Sequence, residues 1–277
     1  MTVFDRKGSV IGAAGPPGAI ETVFVSPSDD SRLLVIGTET WLVNVGQSAR
    51  VALPRDTLWF NWSPDGARVL GLSGGSSLVA RPADSISGLD QIGQLPQGSF
   101  YPRVLSPDGK FVLARIAHSG AVSWARLSDM AVGAWTPLVG SDESLQDFSF
   151  SPDGRFVLYA SSGNYGPIYV QPFPGPGRRQ LIDERGIDPV WRGDGKEIAF
   201  VRDNAVWSVA VTGSAGTPTF GSPERVFEGV RRAPSAVGQS QGLAVSRDGS
   251  RFFLVQGVEQ PDTNVIHIMT PPAQRQR

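Results

Sequence analysis

The chain has 277 residues, enough for one large all-β or α/β domain, or two small ones, with interior to spare for a core. Its 25 basic residues nearly cancel its 26 acidic ones and neither sign clusters, which argues against a nucleic-acid or anionic-membrane binder. Cysteine is absent, so disulfides, zinc–cysteine clusters, iron–sulfur centres and cysteine nucleophiles are excluded.

No apolar run is long enough to span a bilayer as a helix, and the opening "MTVFDRKGSVIG" lacks the basic-then-apolar layout of a secretory signal. As written the chain reads as soluble, with no membrane insertion of its own.

Glycine (33) and proline (22) fall between short apolar runs, the layout of many strands joined by tight turns. Six related turns recur: "SPSDD" at Ser26, "SPDG" at Ser63, Ser106 and Ser151, "RGDG" at Arg192 and "SRDG" at Ser246. Spacings of roughly 40 to 45 residues with four strands each are those of propeller blades.

In chain order, "TVFDRKGSVIGAAG" precedes the first turn and has no blade of its own. The second unit reads as strands "LWFNWS", "ARVLGLS", "SLVARP" and "IGQL". The fourth reads as "QDFSFS", "RFVLYAS", "PIYVQPF" and "RRQLID", and the fifth as "DPVWR", "KEIAFVR", "AVWSVAV" and "ERVFEG". Inner strands are nearly continuous apolar runs, as expected of a sheet covered on both faces. Residues 213–242 contain one strand-like run, Arg225 to Phe227, and otherwise read as loop, too little for a seventh blade. The last unit offers "GLAVS", "RFFLVQG" and "NVIHIMT" before the polar tail 271–277, one strand short. The N-terminal segment is therefore expected to complete that blade, beside "NVIHIMT", with one strand or two, and so close the ring. The expected fold is all-β: a single six-bladed propeller domain, 1–277, of four-stranded antiparallel blades.

These residues resemble a known group. "SPDG" between apolar strands is similar to the TolB-like six-bladed propellers and related Trp-Asp-like repeats. "VFDRKGSVIGAAGPPG", "IYVQPFPGPGRRQLI", "PVWRGDGKEIAFV" and "SRFFLVQGVEQ" resemble the propeller at the C-terminus of many bacterial membrane-anchored serine/threonine kinases. That resemblance implies a binding or sensor domain, extracytoplasmic if it follows a membrane anchor and cytoplasmic if free-standing. The first turn departs from the pattern by lacking its glycine.

The turn residues Asp65, Gly66, Asp108, Gly109, Asp153, Gly154, Asp194, Gly195, Asp248 and Gly249 each have a structural job. Proline presets φ, aspartate accepts backbone hydrogen bonds, and glycine takes the left-handed position. A catalytic group repeated round a ring would face many directions, so these read as turns. "GLSGG" (Gly71 to Gly75) matches a nucleophile-elbow pattern, but a strand follows instead of a helix, so Ser73 reads as a hairpin residue. His118 and His267 are isolated and show neither a base-and-orienter arrangement nor metal-ligand spacing. "QPFPGPG" reads as a proline-rich ligand for another domain or as a stiff connection between two strands of a blade.

The connections leading into the inner strands should cluster round one mouth of the channel. They carry Arg55, Trp59, Tyr101, Arg103, Glu143, Asp147, Glu184, Asp188 and Trp191. Together these suit a protein loop, a peptide or a small polar ligand; singly, Trp59, Tyr101 and Trp191 could equally wedge between blades. The sequence thus reads as a monomeric, non-catalytic binding module with no metal or cofactor. The rival classes are a propeller enzyme of lactonase, lyase or glycoside hydrolase type, using Glu143, Asp147, Glu184 and Asp188, and a purely structural scaffold.

Overall fold

The structure, a computed structural model, describes residues 1–13, 20–45, 50–85, 88–95, 100–116, 121–128, 131–139, 143–161, 165–175, 177–214, 217–231 and 241–256. Among these there is no helix. The chain opens with β1 (Thr2–Asp5) and β2 (Val10–Ala13), followed by an antiparallel sheet of β3 (Ile20–Val25), β4 (Arg32–Gly37), β5 (Thr40–Asn44) and β6 (Arg50–Ala52). The next sheet contains β7 (Thr57–Trp62), β8 (Arg68–Ser73), β9 (Ser77–Pro82) and β10 (Asp90–Gln94). The third contains β11 (Phe100–Leu105), β12 (Phe111–Ile116) and β13 (Val122–Ser128), edged by β14 (Ala131–Val132) and β15 (Thr136–Pro137).

A larger sheet follows: β16 (Leu145–Phe150), β17 (Phe156–Ser161), β18 (Gly166–Pro172), β19 (Gln180–Trp191), β20 (Glu197–Arg202), β21 (Ala205–Ser214), β22 (Thr217–Phe220) and β23 (Glu224–Glu228). Here "RRQLID" and "DPVWR" are not separate strands, because β19 runs on from one unit into the next. Its first half pairs with β18 and its second half with β20. Residues 217–220, expected as loop, form β22 against the far end of β21. The last sheet combines β24 (Leu243–Val245) and β25 (Arg251–Leu254) with β1 and β2, in the order β2-β1-β25-β24.

That order bears out closure by the N-terminal segment and corrects one detail of it. The N-terminal segment supplies two strands, and Val3 pairs directly with Phe253 where "NVIHIMT" was expected. Residues 264–270 lie outside the described residues. The reason is visible in the packing: Val3 and Phe4 are 3% and 5% exposed and enter two different hydrophobic clusters, one on each face of the blade.

The same two-sided burial runs through the ring. On β4, Leu33 and Val35 face back toward Val3, Ala244 and Phe253, while Leu34 faces forward onto Trp59, Trp62 and Val69. Successive strand residues point to opposite faces, and here both faces are covered, so the strand must be apolar throughout. Each hydrophobic cluster joins one unit to the next, and the cluster of Val3, Val23, Leu33, Val43 and Phe253 joins last to first. This is a closed β-propeller of four-stranded antiparallel units.

The turns are built alike. Ser63 Oγ donates to Asp65 Oδ1 (2.5 Å) and accepts from the Arg68 N–H (2.9 Å); Asp65 Oδ1 also accepts from the Ala67 N–H (3.0 Å). Ser106–Asp108–Phe111, Ser151–Asp153–Phe156 and Ser246–Asp248–Arg251 repeat the pattern. Gly66, Gly109, Gly154, Gly195 and Gly249 have φ of 67° to 75°, where a side chain is disfavoured. In the fifth turn Arg192 replaces the serine and grips Asp194 with two bonds of 2.7 and 2.8 Å.

Candidate functional site

The inner strands β3, β7, β11, β16, β19 and β24 wall a central cavity of about 550 Å³. Its lining runs from mid-strand to the serine-containing turns, so Pro27, Pro64, Pro107, Pro152, Gly193 and Arg247 ring it at the turn end. This is the mouth opposite to the one the sequence pointed to.

Halfway along the wall, backbone and carboxylates form a polar belt. Asp147 Oδ2 accepts from the Asp188 N–H (3.3 Å), Asp188 Oδ1 accepts from the Gly242 N–H (2.9 Å), and the Gln241 carbonyl accepts from the Val23 N–H (2.9 Å). Three consecutive inner-strand junctions are thus tied together. Asp147 and Asp188 have φ of 47° and 54°, left-handed values that aspartate tolerates better than most residues, at register shifts in β16 and β19. The shift turns each carboxylate out of the ladder and toward the neighbouring strand's N–H.

The remaining candidates are dispersed. Glu143 is held by Arg179 (2.7 and 2.8 Å) and Ser161 Oγ (3.0 Å), with the Arg179 guanidinium 4.3 Å from the Tyr169 ring centroid. Glu184 is exposed. Arg55, paired with Glu39, and Trp59 line a separate groove of about 620 Å³ at the opposite mouth. Trp59 is only 3% exposed and its indole donates to the Pro54 carbonyl (2.9 Å), so it wedges between units. Trp191, 8% exposed, packs among Phe156, Ile198 and Val209 but also lines the central cavity. Tyr101 and Arg103 lie on β11, their side chains outside the described residues, as are His118 and His267.

Among the described residues no group of three or more histidines and carboxylates could hold a metal, and no helix is long and apolar enough to cross a membrane. Glu197 serves the scaffold. Burial pushes Glu197 up, but hydrogen bonds from Arg6 and Ser208 and the charges of Arg6 and Arg192 outweigh it and hold the carboxyl below its ordinary value. Arg6, beyond β1, thereby fastens the closing blade to its neighbour (2.5 Å to Glu197).

The sequence reading did not single out Gln241, Gly193 and Arg247, which line the central cavity. The available signal was the pair of deviant turns, "RGDG" and "SRDG", which put glycine and arginine where earlier turns have proline.

No protein-family profile matches the chain, and no curated protein matches it. Solved structures do. A protein described as TolB from Agrobacterium tumefaciens is 20% identical, with 92% of this chain and 96% of that one covered and a TM-score of 0.64. An oligogalacturonate lyase from Vibrio parahaemolyticus is 13% identical (87% and 72% covered, TM-score 0.56). A functionally unknown protein from Desulfotomaculum acetoxidans is 14% identical (89% and 82% covered, TM-score 0.55). At these identities the likeness shows the fold alone, a β-propeller.

Proposed function

We propose that the chain is a six-bladed propeller acting as a non-catalytic binding or sensing module, which meets a protein or peptide partner at the turn-lined mouth of its channel. The observation that carries this reading is the cavity itself: every inner strand lines it, prolines rim it, and the Asp147 and Asp188 carboxylates accept backbone N–H groups of neighbouring inner strands. A glycoside hydrolase uses two carboxylates flanking one substrate bond, whereas Asp147 and Asp188 accept from backbone N–H groups, and Glu143 is ion-paired with Arg179. Apolar walls with a few polar groups suit an inserted peptide segment. If the chain follows a membrane anchor, as the kinase-linked propellers it resembles do, this mouth would sample the extracytoplasmic space.

The test pairs capture with catalysis. The protein and its Pro107→Arg variant, which places a long cation at the exposed rim, are used as baits and assayed for lyase, lactonase and glycosidase turnover. A partner retained by the parent and lost by the variant, at unchanged thermal midpoint, supports the reading. Turnover abolished by Glu143→Gln or Asp147→Asn would sink it.

A further inference from the structure

Departures from a repeat mark places where something other than the repeat's own stability is at stake. Here two fall side by side: the rim position occupied by proline in the first four turns is Gly193 in the fifth and Arg247 in the sixth. The glycine makes room. A Cβ on Gly193 would meet Arg247 Cγ at 3.1 Å and its Cα and Cβ at 3.3 Å, so the arginine stem lies over the bare backbone.

Beneath this gap a second cavity, of about 580 Å³, opens between β17 and β21 and shares Trp191 and Arg247 with the central one. The Trp191 indole N–H is buried and has no acceptor among the described residues, and Ser149 Oγ, on the central cavity, is likewise buried without a partner. A buried donor left unmatched is costly unless something accepts from it. Arg247 gives its backbone N–H to Asp30, while its guanidinium, exposed, forms no ion pair among the described residues. Lys196 adds an exposed ammonium to the same lining.

Guanidinium, ammonium and indole N–H all donate, and none accepts. We infer that the junction of the two cavities is a subsite for a single carboxylate, taken from an acidic residue of a bound peptide, with Arg247 and Trp191 as its principal donors. A carboxylate fits better than a phosphate dianion because Asp153 and Asp194 line the same cavity, and Arg192 already neutralises the latter. A monoanion matches the positive charge that remains, and its two oxygens match an arginine fork and one indole. The inference rests on the turn-lined mouth being the binding face, and adds the ligand chemistry.

The test follows the indole. In ¹⁵N spectra the Trp191 cross-peak is assigned by its loss in Trp191→Phe, and the protein is titrated with N-acetyl-Ala-Glu-Ala-amide, its Gln counterpart, glutarate and inorganic phosphate. The Glu peptide should shift the Trp191 indole, the Gln peptide should not, and Arg247→Gln should weaken the Glu peptide about tenfold. Gly193→Pro, which restores the repeat's proline and displaces the arginine, should do the same. Glutarate binding as tightly as the peptide would keep the carboxylate subsite but make its source a free acid. Equal response to the Glu and Gln peptides, a response to phosphate alone, or no effect of Arg247→Gln and Gly193→Pro overturns the inference. If a partner is nevertheless lost with Pro107→Arg, the binding-mouth reading survives that outcome.

Discussion

Asp188 Oδ1 accepts a 2.9 Å hydrogen bond from the Gly242 N–H, joining the inner strands of two successive blades across 54 residues of sequence. Asp188 is 1% exposed with φ of 54°. Replacing it with alanine strands a buried N–H and leaves a left-handed backbone without a residue suited to it, a loss of about 3 kcal/mol. Asparagine keeps an acceptor and tolerates the backbone, so Asp188→Asn should lose about 1 kcal/mol. Urea unfolding of both variants checks this; equal losses would mean that the belt contributes nothing specific.

Acid should weaken the fold through the turns. The Ser246 hydroxyl, then the Ser250 N–H and hydroxyl, hold the Asp248 carboxyl down at about 2. In an unfolded chain aspartate titrates at about 3.9. The folded value being the lower, the group stabilises the protein above about pH 4, and that contribution is lost as pH falls from about 4 to about 2. Asp65 and Asp108, held by Ser63 and Ser106, and Asp194, held by Arg192, shift the same way. The stability difference between the parent and Asp248→Asn should be clear at about pH 7 and shrink below about pH 4 to a small fraction by about pH 2; a difference that persists undiminished in acid contradicts the assignment.

Ring closure depends on β1. Phe4 stacks on Phe227 at 5.3 Å, and Phe227 meets Phe252 edge-on at 5.3 Å, so one ring spans the seam between the last two blades. Phe4→Ala should cost about 3–4 kcal/mol by emptying that site. Thermal unfolding measures it. Val10→Ser, on β2 and 64% exposed, is the matched control and should change little.

The turn chemistry and strand order were legible because they are local: each serine, aspartate and glycine acts within five residues of itself. The closure was only half legible. Nothing in "TVFD" states that it pairs with "RFFL" instead of "NVIHIMT", since pairing across the whole chain is decided by packing on both faces. Phe173 in "QPFPGPG" makes the same point. It is no mere connector residue but a buried anchor, edge-on to Phe111, Trp124 and Phe150. The candidate mouth read from the sequence differs from the one proposed above for a related reason. Aromatics and carboxylates beside the inner strands looked like a ligand face, yet Trp59 and Asp188 are consumed in joining blades. The proposed mouth rests instead on what the repeat failed to repeat, Gly193 and Arg247.

Amide hydrogen exchange, with and without the partner captured by the intact chain, tests the central claim most directly. Binding at the turn-lined mouth predicts new protection in 23–28, 61–65, 104–107, 147–152, 190–193 and 241–247, which wall the central cavity. Protection confined to 36–40 and 53–59, the groove holding Arg55 and Trp59 at the opposite mouth, would contradict it.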